Sequence, residues 1–542
     1  MPTSDPAAEL EATIARLARD FAGDQAITPS FDPSPKPEMG DYSSNAAMLM
    51  AKSLGRPPRD IAAELATRIE AELEGQVDKV EVAGPGFINL FLGDGWYRRA
   101  VGVLSNGLES GQIAPVAEPE HIIVEFVSAN PTGPLTAASG RHAAYGDALS
   151  KLLRAVGHTV NTEYYVNDGG TQVENFAASI AARMEGEEPP ENGYQGTYVN
   201  ELAERAVEEG IASSDLETLA RTGVEWMIDG IRRSLVQFGV KMDEFFSERS
   251  LYEDNLVDRG VERLRAGGHT FEEEGATWLR TTDFGDDKDR VLIRSSGEAT
   301  YFGADVAYHV DKIERGYTRL IDVLGADHHG YVVRMASAIE ALAEGKAEFE
   351  AQILQLIHLV EGGQRTKMSK RAGDIVTLDE LIGDIGGDAA RFFLLQRSHD
   401  RTFDLDLDLA RSQSSENPVY YVQYAHARIR SILRKADELG RRPSPGEPAA
   451  GTDVEPAEKD LIRLLNAMPA EVHEAAAKRA PHRICAYSTE VAAAFHAFYR
   501  DCQVIDAEGE GVEAARLALC DTAGQTIKYS LGLLGISAPD RM

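Results

Sequence analysis

The sequence predicts an α/β fold, in which a Rossmann-like core built on a parallel sheet follows an N-terminal α+β domain and precedes an all-α bundle. Two short apolar runs, 122–127 and 319–324, support the core, because strands buried on both faces of a parallel sheet read as continuous apolar segments. Each run leads into a glycine-containing turn, the arrangement of a nucleotide-binding α/β unit. From about residue 387 onward, apolar residues three and four apart predict helices only.

Residues 1–105 form the predicted α+β domain. Helices are expected over 7–21 and 46–54. Two strands, 80–83 and 87–92, flank Gly84-Pro85-Gly86 and predict a hairpin. A polar linker then leads to the core at about residue 120.

The core is predicted to occupy residues 120–386. A helix is expected over 139–156 after the first strand, and a helical insertion over about 175–240. A further helical stretch covers 305–313. The bundle, 387–542, carries a local basic cluster from Arg428 to Arg442, which is either a solvated helix face or an RNA contact.

Composition narrows the class of protein. The chain of 542 residues is 43% apolar, and no apolar run approaches the length that spans a membrane. No signal peptide is recognisable, and the three cysteines form no metal or disulfide pattern, so buried thiols and a cytoplasmic location are expected. The net charge of −33 argues against DNA or generic nucleic-acid binding. Either a local basic patch binds RNA, or the acidity is an adaptation to high salt.

A basic loop is the most informative motif. Lys367-Met368-Ser369-Lys370-Arg371 lies between Gly362-Gly363 and Ala372-Gly373, so glycines flank two mobile cations suited to a triphosphate. Considered alone, the same five residues could be a solvated basic loop.

A second group of residues suits a guanidinium ligand. Tyr301 and Asp305 lie four apart on one predicted helix face, and Glu125 and Asn130 bracket the end of the first strand. Carboxylates and an aromatic ring match the planar fork and flat face of a guanidinium. The alternative is an ordinary acidic residue at a helix N-terminus. Of His328 and His329, one is expected to line the cleft and the other to pack.

Further stretches identify a family resemblance over essentially the whole chain. They are 40–43, 83–89, 125–134, 164–168, 325–331, the lysine loop, 413–426 and 533–542. Together they resemble bacterial-type arginyl-tRNA synthetases, which are class I aminoacyl-tRNA synthetases. The resemblance implies ATP-dependent ligation of L-arginine to tRNA(Arg) through an arginyl-adenylate, by a monomer. Magnesium would accompany ATP, but no protein ligands for a metal are identifiable.

The resemblance also implies residue roles. Lys367 and Lys370 would be catalytic. ATP would be bound by these two lysines and by Pro131, Thr132, Gly133, Thr136, Ser139, Gly140, His142, Met368 and Ser369. Arginine would be bound by Glu125, Ser128, Asn130, Tyr301, Asp305 and His328. The tRNA would be contacted by Tyr42, Asn89, Tyr420, Gln423, Tyr424, His426 and Arg428.

Two departures from the family pattern leave alternatives open. Thr136 and Ser139 stand where the family has the two histidines of its His-Ile/Val-Gly-His signature, and His142 is a candidate to replace them. Gly303-Ala304 replaces a Thr-Arg or similar pair and is expected to loosen the following helix. The alternatives are a catalytically weakened, synthetase-derived RNA-binding or regulatory protein, and a paralogue that activates arginine for another acceptor.

Overall fold

The computed structural model describes residues 6–23, 26–34, 36–110, 115–365, 376–444 and 453–542. Its mixed α/β architecture, with a parallel sheet in the middle of the chain, confirms the predicted fold class. The domain boundaries remain a prediction. Over the described residues, no helix combines the length and the apolar character needed to cross a membrane.

The N-terminal part packs helices on a small antiparallel sheet. Its elements are α1 (Pro6–Ala22), β1 (Phe31–Pro33), β2 (Tyr42–Ser44), α2 (Ala46–Leu54), α3 (Pro58–Glu72), β3 (Val77–Ala83), β4 (Phe87–Leu92) and α4 (Asp94–Ser110). The strand order is β1-β2-β4-β3, and β3 pairs antiparallel with β4 as the hairpin prediction requires. Fully buried Ile88 and Trp96 belong to its core.

The core contains five parallel strands and a helical insertion. Its first half consists of β5 (His121–Glu125), α5 (Ala137–Ala155), β6 (Thr159–Val166), α6 (Gly170–Met184), α7 (Tyr198–Glu208), α8 (Leu216–Gln237), β7 (Glu244–Ser247), α9 (Glu248–Glu253) and α10 (Leu256–Ala266). Its second half consists of β8 (Thr270–Glu273), β9 (Ala276–Leu279), β10 (Arg290–Ile293), α11 (Tyr301–Glu314), β11 (Arg319–Gly325), α12 (His329–Ala343), β12 (Glu348–Leu354), β13 (Ile357–Glu361), β14 (Gln364–Arg365) and α13 (Leu378–Ile385).

The order of the parallel sheet sets the position of the cleft. The strands run β12-β11-β5-β6-β7, so the two strands predicted from sequence are direct neighbours. Glu125 at the end of β5 pairs in register with Asp322 of β11. Ligands of such sheets bind at the carboxyl ends of the strands, so the turns after β5 and β11 share one edge.

Helix α5 approaches the chain after β5 closely. A Cβ atom on Gly146 would lie 2.1 Å from the ring of Phe126, a distance that no packed side chain adopts. Phe126 is 1% exposed. Glycine is therefore required at position 146 for α5 to lie against the sheet.

The C-terminal part is a helical bundle with one short strand. Its elements are α14 (Gly387–Leu395), β15 (Phe403–Asp406), α15 (Leu407–Arg411), α16 (Pro418–Glu438), α17 (Pro456–Asn466), α18 (Met468–Ala477), α19 (His482–Asp501) and α20 (Val512–Leu533). The prediction of helix alone is wrong at β15, which pairs parallel with β13. Four residues are too few for helical periodicity to exclude a strand. The three cysteines are buried free thiols, as predicted.

A buried ion pair and a half-buried one join the bundle to the core. Arg391 on α14 donates from Nε to the Leu534 carbonyl (2.8 Å) and from Nη1 to the Phe238 carbonyl (3.0 Å). Its Nη2 also pairs with Asp147 of α5. Arg479 between α18 and α19 forms a two-pronged pair with Glu350 of β12 (2.8 and 2.9 Å).

The bundle also contacts the N-terminal part. Lys459 on α17 lies 2.7 Å from Asp94 at the start of α4. The backbone N–H of Val454 donates to the same carboxylate (2.7 Å). The bundle is thus bonded to both preceding parts of the chain.

Candidate active site

A cavity of about 790 Å³ opens at the carboxyl edge of the sheet. Three of the residues predicted to bind arginine, Tyr301, Asp305 and His328, line it together. The cavity is also lined by the loop between β9 and β10, from Gly285 to Arg290, and by residues at the start of α12.

Asp305 is the most unusual side chain in this cavity. It is 7% exposed, and its Oδ2 atom has no hydrogen-bond partner among the described residues. Burial, together with the carboxylates of Glu125 and Glu248, raises the pKa of Asp305 well above its usual value. Tyr301, 63% exposed, lies four residues earlier on the same helix. A buried acid that lacks a cation is arranged to receive one from a ligand.

The start of α11 is well formed. Thr300 caps the helix by accepting a hydrogen bond from the Gly303 N–H (3.0 Å). A Cβ on Gly303 would lie 2.4 Å from the Leu292 carbonyl oxygen. The expectation that Gly303 loosens this helix is therefore wrong, because glycine here allows the helix to pack directly against β10.

Glu125 is held in place by the residues that follow it. Ser128 Oγ donates to Glu125 Oε1 (2.9 Å) and accepts a hydrogen bond from the Tyr165 backbone N–H (3.1 Å). The strand predicted over 122–127 ends at Glu125, and Val127 and Ser128 have positive φ angles of 72° and 37°. Positive φ is rare for a β-branched residue and is typical of functional sites.

The turn after β5 is fixed by the insertion. Asn130 Nδ2 donates to Gln172 Oε1 on α6 (2.8 Å). The Tyr198 hydroxyl on α7 donates to the Thr132 carbonyl (2.7 Å) and lies 3.1 Å from where a Cβ of Gly133 would be. Pro131, Thr132 and Gly133 therefore belong to a supported turn at the edge of the cleft.

Thr136 and Ser139 form a capping box at the start of α5. Thr136 Oγ1 accepts from the Ser139 N–H (3.2 Å), and the Ser139 hydroxyl accepts from the Thr136 N–H (3.4 Å). The two residues that replace the family histidines thus satisfy the helix terminus with their own side chains.

Thr136→Ala should lower the free energy of unfolding by about 1 kcal/mol, because an N-cap that accepts a backbone N–H is lost. Chemical denaturation of the variant measures this loss. Thr197→Ala is the matched control, because Thr197 is an exposed N-cap residue of α7 whose side chain makes no capping hydrogen bond. An equal loss in both variants would contradict a capping role for Thr136.

The lysine loop lies outside the described residues, and so do Lys367, Met368, Ser369 and Lys370. The chain immediately after it is bonded to the start of α5. Ala137 N–H donates to the Val376 carbonyl (3.0 Å), and Leu378 N–H donates to the Leu135 carbonyl (2.8 Å). A Cβ on Gly140 would lie 2.8 Å from Leu378, so glycine permits this contact.

His142 does not supply a positive charge at neutral pH. Burial lowers the pKa of His142 to about 4, although a hydrogen bond with the Val323 backbone opposes the shift. The imidazole at this position is therefore neutral and cannot replace a positive charge of the family histidines.

Residues predicted to contact tRNA fall into two groups. Asn89 (3% exposed), Gln423 (8%) and His426 (2%) are buried, and each is hydrogen-bonded within the chain, to Ser43, Asp388 and the Pro539 carbonyl respectively. Tyr42 is 8% exposed and stacks on Phe31. These four side chains therefore pack beneath the protein surface. The sequence pattern could not distinguish such buried residues from residues that contact tRNA.

The second group is accessible. Tyr424 is 41% exposed and stacks on Tyr420, with ring centroids 6.3 Å apart. The Arg428 guanidinium lies over the rings of Tyr424 (5.8 Å) and Tyr499 (4.8 Å). In contrast, Arg430, Arg441 and Arg442 of the predicted basic cluster are paired with carboxylates.

Sequence reasoning missed several residues of the site. The loop 285–290 lines the cavity, and its dense charges, Gly-Asp-Asp-Lys-Asp-Arg, were an available signal. Lys312 and His309 follow Asp305 at helical spacing, beneath the cavity. Within the described ranges, no group of His, Cys, Asp or Glu could hold a metal ion.

Comparisons with known proteins agree with this geometry. Three family models match: "Arginyl tRNA synthetase N terminal domain" over 7–92, "tRNA synthetases class I (R), catalytic domain" over 103–411, and "DALR anticodon binding domain" over 422–542. The chain is 42% identical to an arginine–tRNA ligase of Shouchella clausii, over 98% of each chain. It is 43% identical to that of Bacillus subtilis, over 93% of this chain and 92% of the relative. The fold resembles that of Thermus thermophilus arginyl-tRNA synthetase, with a TM-score of 0.77, 24% identity, and 99% and 100% coverage.

Proposed function

Because the chain belongs to the arginyl-tRNA synthetase family, we propose that its described cavity binds the arginine that it ligates to tRNA(Arg). ATP drives the ligation: the arginine carboxylate attacks the α-phosphate, and the adenylate then transfers arginine to a ribose hydroxyl of the tRNA. The observation that carries the assignment of the cavity is Asp305, a buried carboxylate that lines the cavity beside Tyr301. One of its oxygens has no hydrogen-bond partner among the described residues.

The guanidinium of arginine would pair with Asp305 and Glu125 and lie against the Tyr301 ring. A planar fork with two charged partners discriminates strongly against neutral side chains, because a ligand without the charge leaves buried carboxylates unpaired. Ser128 Oγ donates to Glu125, and Asn130 Nδ2 donates to Gln172. These bonds support the proposed roles, in which Glu125 meets the guanidinium and Asn130 meets the substrate amine.

ATP would lie across the turn 131–133 and the start of α5. We propose that Lys367 and Lys370 stabilise the charge of the departing pyrophosphate, since mobile ammonium groups match that charge as it develops. Thr136 and Ser139 hold the helix terminus in order. Magnesium would enter with ATP, and no protein ligand for it is assigned. A monomeric state and a cytoplasmic location complete the proposal.

Charging of arginine tRNA by the purified chain tests the function. We expect ATP-dependent arginylation by the native sequence. The alternatives predict otherwise: a decayed enzyme would charge tRNA only in the T136H/S139H double variant, and a paralogue would consume ATP and arginine without charging tRNA. Absence of ATP-dependent charging by the native chain would refute the proposal.

Tyr424 and Arg428 are proposed to contact the tRNA on the bundle. Stacking of a base on an aromatic ring is worth about 1–3 kcal/mol, so Tyr424→Ala should raise the KM for tRNA about tenfold or more, with the KM for arginine unchanged. Arg428→Ala should act in the same direction. Arg442→Ala is the control, because Arg442 is more exposed than Arg428 but is paired with Asp437. An unchanged KM for tRNA in Y424A would exclude this surface.

A further inference from the structure

A buried charge network lies directly beneath the proposed arginine pocket. Lys312 on α11 has a fully buried side chain, and its Nζ lies 2.7 Å from Glu125 Oε2 and 3.1 Å from Asp322 Oδ1. The ammonium also lies 4.1 Å from the centroid of the Tyr308 ring. Lysine is almost never fully buried unless it is paired, so its position here calls for a reason.

His309 completes the network. Its Nδ1 lies 2.7 Å from the Asp305 carbonyl oxygen, and its Nε2 lies 3.2 Å from Asp322 Oδ2. Both partners are hydrogen-bond acceptors, a carbonyl oxygen and a carboxylate oxygen. Lys312 and His309 thus both contact Asp322, and Lys312 also contacts Glu125.

Asp305, which lines the cavity, lies on the same helix as Lys312 and His309. Glu125 contributes to the pocket only while it is ionised, and it is ionised only while a cation opposes the effect of burial. Burial raises the pKa of Glu125, and the Lys312 ammonium acts in the opposite direction. Burial acts to raise the pKa of Asp322, but the contacts with Lys312 and His309 lower it more strongly. The pKa of Asp322 therefore lies below its ordinary value.

We propose that Lys312 is a positioning residue for arginine specificity, which keeps the Glu125 carboxylate ionised and aimed at the substrate guanidinium. Lys312 does not touch the substrate in this arrangement. It acts through Glu125, from two helical turns beyond Asp305 on the same helix. The inference rests on the proposed binding of arginine in this cavity and adds the reason why its carboxylate is charged.

Several titratable groups surround Glu125, and they bear on any pH dependence. Asp322 faces it from β11, and Lys312 and His309 face it from α11. The charge of Glu125 also raises the pKa of five further groups: Tyr165 on β6, Tyr301, Asp305 and Tyr308 on α11, and Tyr331 on α12. Of all these groups, Lys312 is the closest cation to Glu125. Its loss is therefore expected to favour the protonated form of Glu125.

Lys312→Met, which keeps the chain length but removes the charge, tests the proposal by steady-state charging of tRNA. At pH 7 the KM for arginine should rise about tenfold or more, since a change of one unit in the pKa of Glu125 is tenfold in its ionised fraction once that pKa exceeds the assay pH. The KM for ATP should stay within about twofold. The ratio of variant to native KM should fall as pH rises from 7 to 9, because higher pH restores the ionised form of Glu125.

A double variant and a control separate positioning from structure. If Lys312 acts through Glu125, K312M/E125Q should be no worse for arginine than E125Q alone. Arg315→Met, which removes a cation of the same helix that pairs with Glu163 instead, should leave the KM for arginine unchanged. Lys312→Gln, with donors but no charge, serves if K312M does not fold.

The outcomes are distinct. An equal rise of both KM values, a pH profile parallel to that of the native chain, or additive losses in the double variant would overturn the proposal and make Lys312 structural. Absence of charging by the native chain would instead refute the proposed function on which the inference rests.

Discussion

Asp305→Asn should abolish efficient use of arginine while making the empty protein more stable. The guanidinium loses a buried charged partner, which is worth about 2–5 kcal/mol in comparable interfaces. We therefore expect kcat/KM for arginine to fall by about a hundredfold or more. Steady-state charging of tRNA over a range of arginine concentrations measures this fall.

The gain in stability follows from the raised pKa of Asp305. An acid whose pKa is raised by folding binds its proton more tightly in the folded chain. Stability contributed by that proton is lost as pH rises from the unfolded value toward the folded one. Asparagine never ionises, so the thermal midpoint of D305N should exceed that of the native chain at neutral pH.

Thermal shift with and without arginine distinguishes the two effects. The native chain should gain stability from arginine, and D305N should gain almost none. Asp311→Asn is the matched control, because Asp311 lies on the same helix but pairs with Arg315. If D305N retained its response to arginine, the cavity would not be the arginine site.

Arg391→Met should be the most destabilising substitution of an ionic side chain between the core and the bundle. Arg391 is 1% exposed and satisfies two backbone carbonyls and Asp147. Removing one partner from a buried network typically costs about 3–5 kcal/mol, because the remaining polar groups stay buried without compensation. The midpoint of thermal or chemical denaturation measures the loss.

Arg397→Met is its control, since Arg397 is exposed and only six residues further on. Both variants remove one positive charge and one guanidinium. Matching midpoints for the two variants would show that the bonds of Arg391 contribute little net stability.

Periodicity predicted the elements of the fold where a strand or helix is long and regular. The helix 46–54 and the strand 87–92 agree with the structure residue by residue. The predicted end of the strand 122–127 lies two residues beyond the observed end, because Phe126 and Val127 remain apolar after the backbone has left the sheet. An apolar side chain indicates that a residue is buried, but it does not show that the backbone at Val127 has a positive φ.

Some features of the candidate site could likewise be predicted from sequence, and others could not. Asp305 and Tyr301 could be paired from helical spacing, and they do line one cavity. Spacing could not show that Asn89 and His426 are buried, because burial of a polar side chain depends on distant partners such as the Pro539 carbonyl. Nor could it show that Thr136 and Ser139 bond to each other, although a Thr and a Ser three residues apart at a helix start permit it.

Helix α5 begins beside the turn that we propose to bind ATP. It carries Asp147, which pairs with Arg391, and Tyr145, whose hydroxyl donates to the Arg479 carbonyl (2.7 Å). The same helix therefore also forms part of the contact between core and bundle. Deletion of the bundle would remove these hydrogen-bonding partners of α5. Core and bundle should therefore unfold in a single calorimetric transition. Neither part should fold stably when it is expressed without the other.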